Sequence, residues 1–209
     1  MLKKFLLYFG SFSLATLILF VTIFKTAEAK YVFSASPSPT PISNSADEVQ
    51  IAYNLPYPGT ILSDNILWPL KALRDRVWLT LTVDPSKKAD LYLLLADKRL
   101  ADAQLLFQKD KPDLGISVLT KAEKYLESAG SEEKIAKSQG VNTSDFLRRF
   151  ILATEEHRKV MDAIANIAPE DANPIIMKTE NYPKNLYSEA KNGLLEAGIN
   201  VPQSPFQEN

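Results

Sequence analysis

The sequence predicts an all-α protein: an antiparallel bundle of about four to five helices behind an N-terminal hydrophobic helix and a Pro/Ser-rich linker. Apolar residues recur at spacings of three and four from about residue 65 to residue 197, which is the period of an amphipathic helix, and no alternating strand pattern interrupts them. Glycine is scarce, with 7 in 209 residues, so few tight hairpins can form. The joins between the predicted helices are short, which favours antiparallel neighbours.

The N-terminus predicts export. Lys3 and Lys4 precede an uncharged, mostly apolar run over 5–24, whose length as a helix matches the roughly 30 Å of bilayer hydrocarbon. The two lysines place the amino end in the cytoplasm and the rest of the chain outside. Residues 1–29 are therefore a transmembrane anchor or, because Ala27-Glu28-Ala29 fits a signal-peptidase site, a cleaved signal peptide. The protein is expected to be membrane-anchored facing outside the cytoplasm, or secreted if it is cleaved after Ala29.

A linker and one helical domain follow this segment. Residues 30–52 include Pro37, Pro39 and Pro41 alternating with small polar residues, a composition that favours an extended chain. Residues 53–200 are predicted to form the helical domain, and residues 201–209 a disordered tail.

The first predicted helix of the domain begins near Asn65, where Ser63 or Asp64 can cap it. Its apolar face is expected to point inward, and that face consists of Leu70, Leu73, Val77 and Leu81. Trp68 and Trp78 are the only tryptophans. They could form a binding platform, but core packing is the more usual role.

The clearest helix signals lie over 84–109. Asp84 is a good N-cap and Pro85 suits the first helical position. The predicted inward stripe is Ala89, Leu93, Ala96, Leu100, Ala103 and Phe107, widened by Leu91, Leu94, Leu95 and Leu105. Lys98 and Asp102 are expected to pair on the solvent side.

The third helix is predicted from about Pro112 to Ala129, where Gly130 ends it. Its inward residues are Leu114, Val118, Ala122, Tyr125 and Ala129. A short helical piece follows, with Glu133 paired to Lys137, and Gly140 stops it.

Two more helices are expected, over about 144–168 and about 184–197, the second closed by Gly198. The stripe of the longer one is Phe146, Phe150, His157, Met161, Ile164 and Ala168, with Leu147, Ile151 and Val160 beside it. A turn over 175–178 is predicted before the last helix, and Pro183 is expected to separate the turn from that helix.

No residue set predicts a catalytic, cofactor or metal site. His157, the single histidine, has no carboxylate three or four residues away on its own helix, so a packed histidine is favoured over a metal ligand or a general base. Without cysteine, a zinc site or a thiol nucleophile is not expected. Asp90 and Asp97 share a helix face and could be paired carboxylates, but the lysines and arginines around them favour a solvated charged surface.

Nucleic acid is not an expected partner. The 24 basic and 25 acidic residues give a net charge of −1, and the basic residues Lys87, Lys88, Lys98 and Arg99 are interleaved with aspartates. The sequence contains no Gly-rich phosphate loop and no G-x-S-x-G motif. Asn142-Thr143-Ser144 matches a glycosylation sequon, which is short enough to arise by chance.

Three motifs resemble a known family. The first motif is P-G-x-L with a later L-K-x-x-x-[DE], represented here by Pro58-Gly59, Leu62, Leu70-Lys71 and Asp75. The second is L-T-x-D-P-x-x-K-A-x-L, which runs from Leu81 to Leu91. The third is A-x-x-R-L-A-[DE]-A, which runs from Ala96 to Ala103. Thr60 and Ile61 depart from the usual opening. The chain resembles DUF5667, a domain of unknown function found in exported or membrane-tethered bacterial proteins, over roughly residues 55–129. The resemblance implies an all-helical extracytoplasmic domain, and it supplies no functional residues.

The sequence thus favours a non-enzymatic, extracytoplasmic, membrane-proximal helical module for protein–protein interaction or envelope scaffolding. The membrane is a partner through the N-terminal helix if that helix is uncleaved, an envelope protein is a possible second partner, and no cofactor is expected. The alternative is a sensor or regulatory domain acting through a membrane partner, although only residues 1–4 would remain inside. A helical small-ligand carrier or an enzyme is a third hypothesis, and it would have to depend on carboxylates and arginine.

Overall fold

The structure is a computed structural model that describes residues 53–202, and every regular element in this range is helical. The elements are α1 (Trp68–Leu81), α2 (Pro85–Gln108), α3 (Pro112–Ser138), α4 (Ser144–Ala165), a short 3-10 turn (Glu170–Ala172), α5 (Asn173–Thr179) and α6 (Asn181–Glu196). The predicted all-α class is confirmed for these residues, with more helices than expected. None of them is both long and apolar enough to cross a membrane. The predicted anchor (1–29) and linker (30–52) lie outside the described residues.

The helices α2 and α3 form a hairpin at the centre of the fold. Asp84 caps α2 as predicted, because its carboxylate accepts a hydrogen bond from the Ser86 backbone N–H at 2.9 Å. A three-residue join follows α2, and Asp110 within it has a φ of 58°. At the start of α3, Gly115 lets the Phe107 ring pack against the backbone, since a Cβ there would lie 2.8 Å from ring atoms. The close approach of the two helices at this point therefore favours glycine.

Two clusters of buried side chains fill the space between this hairpin and the helices α4 to α6. The first cluster includes Ala89, Leu93, Ala96, Leu126, Phe150, Ile151, Leu186 and Leu194. The second cluster includes Leu100, Ala103, Leu106, Phe107, Leu119, Met161, Ile164 and Ile176. The predicted inward stripe of α2 is confirmed at each of its six positions. The stripe of α4 is confirmed as far as Ile164, and the helix ends at Ala165, before Ala168.

The third helix does not stop at Gly130 as predicted. It continues to Ser138, and Gly130 is buried within it. A Cβ at that position would lie 3.3 Å from Leu186 and 3.4 Å from Phe150, so this glycine marks a contact between helices instead of a helix end. Glu133 does not pair with Lys137 on the surface. It is buried, and its carboxylate accepts a hydrogen bond from the Thr143 hydroxyl at 2.5 Å.

The first helix differs most from the prediction. It begins at Trp68, with Leu67 at the N-cap position and no side-chain cap. The two predicted caps have other partners: the Ser63 hydroxyl donates to Asp102, and Asp64 binds Lys111 at 2.7 Å. Its apolar face points to solvent, as described below. Trp68 and Trp78 are half-buried and belong to neither core cluster, so the expected core packing is wrong for both.

The C-terminal part is more helical than predicted. The segment expected to form a turn is the helix α5, and α6 begins at Asn181, three residues before the expected start. Pro183 lies in the first turn of α6, where a missing backbone N–H costs nothing. Gly198, with a φ of 68°, ends the helix as predicted.

Candidate functional site

A chain of hydrogen-bonded polar side chains crosses the core, and His157 is at its centre. The imidazole contacts Glu123 of α3 through Nδ1 at 2.7 Å and Asp97 of α2 through Nε2 at 3.1 Å. The Tyr53 hydroxyl donates to the other oxygen of Asp97 at 2.6 Å. We call these four residues the core network; it joins the N-terminal segment of the domain to α2, α3 and α4.

The core network holds a positive charge between two carboxyl groups. Burial alone would lower the pKa of His157, but Glu123 and Asp97 outweigh it and raise this pKa to about 10. The ring is therefore an imidazolium at neutral pH and donates from both nitrogens. Burial raises the pKa of Glu123, while His157 opposes that rise. Glu123 Oε2 has no hydrogen-bond partner among the described residues.

The core network has no access to an external substrate. His157 and Glu123 are fully buried, and Asp97 is 2% exposed. The two carboxyl groups bind different nitrogens of one ring, so they lie on separate edges of the imidazole and cannot converge with it on one ion. Among residues 53–202, no group of three His, Asp or Glu side chains could hold a metal ion. The arrangement can fix the relative positions of the helices and can bind or release a proton.

A second set of polar contacts fastens α1 to α2. Asp75, in the middle of α1, is buried and binds Arg99 of α2 at 2.8 Å; Arg74 binds the other oxygen of Asp75 at 2.6 Å. The Arg99 guanidinium also lies over the Trp68 ring, 4.0 Å from its centroid. Breaking a buried ion pair leaves an uncompensated charge, so α1 cannot rotate freely about its axis.

The same region secures the segment 53–67, which we call the strap. Asp102 of α2 accepts hydrogen bonds from the Ser63 backbone N–H at 3.2 Å and from its hydroxyl at 2.7 Å. Lys71 of α1 donates to the carbonyl oxygens of Pro58 and Ile61 at 2.7 and 2.8 Å. Gly59 has a φ of 94°, which favours glycine at this turn. We refer to the contacts of Lys71, Asp75, Arg99 and Asp102 together as the latch.

The latch turns the apolar face of α1 away from the domain. We call this face, Leu70, Leu73, Val77 and Leu81, the α1 stripe. Leu70 is 61% exposed, Leu73 57% and Leu81 47%, and Val77 is half-buried. At about 100° per residue the four side chains span roughly 80°, and Asp75 lies about 160° from Val77. The anchored face and the apolar face are therefore on opposite sides of the helix. The expectation that this stripe points inward is wrong.

Further apolar residues extend the exposed surface beyond the stripe. Ile66 and Leu67 precede α1 and Val83 follows it, and all three are exposed. An open groove runs along one flank of α1, and Ala72, Leu79, Tyr92 and Tyr125 are among its lining residues. The apolar surface at α1 is thus continuous with a shallow aromatic groove on the central hairpin.

The other residues singled out in the sequence are dispersed. Asp97 is buried in the core network, so its interpretation as a solvated carboxylate is wrong, whereas Asp90 is exposed and binds Arg149 at 2.7 Å. Asp102 does not form the expected surface pair with Lys98, because it is buried against the strap. The four basic residues near the start of α2 do not share a surface: Lys87 is exposed, Lys88 binds Glu132, Lys98 is half-buried and Arg99 is buried. Asn142 of the sequon is exposed, and its side chain caps the backbone N–H of Ser144 at 3.0 Å.

Sequence reasoning missed the latch, although its residues were visible in the motifs. The motif positions Lys71, Asp75, Arg99 and Asp102 supply the side chains of the latch, and Pro58, Gly59 and Leu62 form the strap on which it acts. The signal in the sequence that could have indicated the latch was the presence of these polar residues at fixed motif positions within an otherwise apolar pattern. The motifs therefore supply the contacts that fasten α1.

Comparison with known proteins gives one family and no individual relative. The family model described as Domain of unknown function (DUF5667) matches residues 60–171, which is more than half of the chain. The match continues through α4, beyond the limit near residue 129 expected from the motifs. No curated protein and no solved structure matches the chain significantly.

Proposed function

The chain belongs to the DUF5667 family, and from that premise we propose that it is a non-enzymatic interaction module, exported and held at the outer face of the cytoplasmic membrane by residues 1–29. The uncharged run over 5–24 is long enough for an anchor, which supports retention over cleavage after Ala29. The linker over 30–52 then joins this anchor to an antiparallel helical bundle that acts through α1.

The observation that carries the proposal is the outward direction of the α1 stripe. Three leucines of one helix face are about half exposed or more, and buried charges on the opposite face fix them there. Contiguous exposed apolar surface on a folded domain is characteristic of interaction sites. A helix that only completed the core would bury this face and expose Asp75.

A non-enzymatic role fits the position of the titratable groups. His157, Glu123 and Asp97, whose side chains are hydrogen-bonded to one another, are buried in the core. A general acid or base must come within hydrogen-bond reach of the proton that it transfers. Their role is accordingly to join the helices, and binding at the surface is left to α1.

Cysteine accessibility tests both location and surface, because the natural chain contains no cysteine. Leu73→Cys reports on the stripe, and Asn192→Cys is the control on the exposed side of α6. Each full-length variant is treated with a membrane-impermeant maleimide in spheroplasts with an intact cytoplasmic membrane, and again as purified protein in detergent. We expect the control to be labelled in both preparations, and Leu73→Cys to be labelled in detergent but protected in spheroplasts.

Two results would contradict the proposal. If the control is labelled only after the spheroplasts are lysed, the domain is not outside the cytoplasm. If both cysteines are labelled equally in spheroplasts, α1 has no occupant in the cell and is not the interaction surface.

A further inference from the structure

We propose that the occupant of the α1 stripe is the bilayer surface itself: α1 lies along the lipid interface, with its leucines among the acyl chains and the exposed Arg74 and Arg76 among anionic headgroups. This inference rests on the proposed function, since the retained anchor brings the domain to the membrane. It goes further in naming a lipid surface, not a protein, as the partner of this helix.

The first step is the fixed orientation of α1. A helix on a membrane surface must present its apolar side to lipid and satisfy its polar side elsewhere. In α1 the polar side is satisfied by the protein, because Asp75 binds Arg99 and Lys71 binds two carbonyl oxygens of the strap. The apolar stripe is left as the outermost face, already in the direction that lipid binding requires.

The second step is charge. The helix α1 contains three basic residues, Lys71, Arg74 and Arg76, and one acidic residue, Asp75, whose carboxylate is buried against Arg99. Arg76 is exposed beside the stripe, and the Arg74 side chain is 44% exposed. The exposed charge of α1 is therefore positive, on a chain whose net charge is −1. This surface is complementary to anionic headgroups.

The third step is the character of the exposed residues. Leucines flanked by arginine, with tryptophan at the edge, are the composition of interfacial helices, in which long basic side chains reach up to the headgroups. Trp78 is half-buried beside the stripe, and the exposed Ile66 and Val83 extend the apolar side at both ends of the helix.

The fourth step is reach. Twenty-seven residues separate Lys25, at the end of the apolar run, from Tyr53 at the start of the described domain. A Pro-rich chain of that length spans up to about 80 Å when it is extended, so the linker is long enough for α1, the first helix after it, to contact the bilayer. Tethering confines the domain to the neighbourhood of the bilayer, which raises its effective concentration there above that of a free domain.

A second copy of the chain is the competing occupant. Symmetric pairing of two α1 stripes would bring the arginines of both helices to one rim, where like charges repel. Anionic lipid instead attracts the same arginines. The charges that flank the stripe therefore favour the membrane.

The experiment uses the full-length chain reconstituted in vesicles of phosphatidylcholine with phosphatidylglycerol. Leu73→Cys is labelled with an environment-sensitive fluorophore, and Asn192→Cys is the labelled control. Lipids with a spin-label quencher in the upper acyl chain report direct contact with the bilayer. We expect blue-shifted emission and strong quenching at position 73 and neither at position 192. We expect quenching at position 73 to fall in pure phosphatidylcholine, and in a variant that also carries Arg76→Glu.

Two outcomes would overturn the inference. Blue-shifted emission without lipid quenching, together with disulfide-linked dimers of unlabelled Leu73→Cys, would assign the stripe to a second copy. Emission like that of the control would show that lipid does not cover α1. In either case, protection of Leu73→Cys in spheroplasts would still support the proposed function with a protein as the occupant, so the two proposals fail separately.

Discussion

At the scale of single residues, the most informative positions are charged side chains within apolar patterns. Asp97 lies four residues after Leu93 and three before Leu100, both of which are buried, so helical spacing alone places it on the inward stripe of α2. The charges of its neighbours in sequence led to a surface assignment. Its partners could not be predicted, because Tyr53 and His157 come from distant segments that only the fold brings together.

Asp97 and Asp90 provide a matched test of burial. Asp97→Asn removes a charge that faces a buried imidazolium, and removing one partner of a buried pair costs about 3–5 kcal/mol. Asp90→Asn affects an exposed pair with Arg149 and should cost less than about 1 kcal/mol. Chemical denaturation of both variants measures the difference in the free energy of unfolding. Equal losses would contradict the burial of Asp97.

The imidazolium makes stability depend on pH. The pKa of His157 is about 10 in the folded state against 6.5 for an unperturbed histidine, so the folded chain binds a proton that the unfolded chain has lost between these values. The stabilisation is complete below pH 6.5 and is lost as pH rises through about 10. The free energy of unfolding should fall over this window by at most about 1.4 kcal/mol per pH unit, the limit for one proton.

The histidine contribution can be separated from the titration of lysine and tyrosine. Denaturant unfolding of the natural chain and of His157→Gln is compared at pH 7 and pH 9. We expect the variant to be less stable at pH 7 and to show a shallower decline toward pH 9. A decline of equal slope in both proteins would mean that His157 does not hold the proton.

At the scale of helices, periodicity predicted which residues share a face but not which way that face points. The stripes of α2 and α4 were predicted well because each lies on a long helix that packs along its length. The α1 stripe has the same period, yet the latch turns it outward, and the latch depends on tertiary contacts. Gly130 shows a similar limit: a glycine that ends a helix and one that admits a neighbouring helix look alike in sequence.

Leucine truncation distinguishes the two kinds of stripe. Leu93→Ala and Leu100→Ala remove buried side chains and should each cost about 2–5 kcal/mol. Leu70→Ala and Leu73→Ala remove exposed side chains and should each change stability by about 0.5 kcal/mol or less. Thermal unfolding of the four variants in detergent measures the contrast. A large loss for Leu70→Ala or Leu73→Ala would show that the α1 stripe packs inward.

At the scale of the whole molecule, the helical content of the described residues was predictable because it follows from composition and local pattern. The way the domain is held together was not. Two buried polar systems, the core network and the latch, join segments that are distant in sequence. The strap contributes to both, through Tyr53 to Asp97 and through Ser63 to Asp102. An irregular segment with little helical signal therefore contacts two buried carboxylates.

Removal of the strap tests this organisation. A fragment of residues 50–209 contains both core clusters, the core network and the latch, so it should fold without the anchor and give a strongly helical circular dichroism spectrum with one cooperative transition.

A shorter fragment, 68–209, keeps all six helices but leaves Asp97 and Asp102 without their strap partners. Each unsatisfied buried group costs about 1–3 kcal/mol, against a total of about 5–15 kcal/mol for a typical domain. The shorter fragment should therefore melt well below the longer one or fail to fold. Equal melting temperatures would mean that the strap only covers the helices, and a strand-rich spectrum from either fragment would contradict the all-α fold.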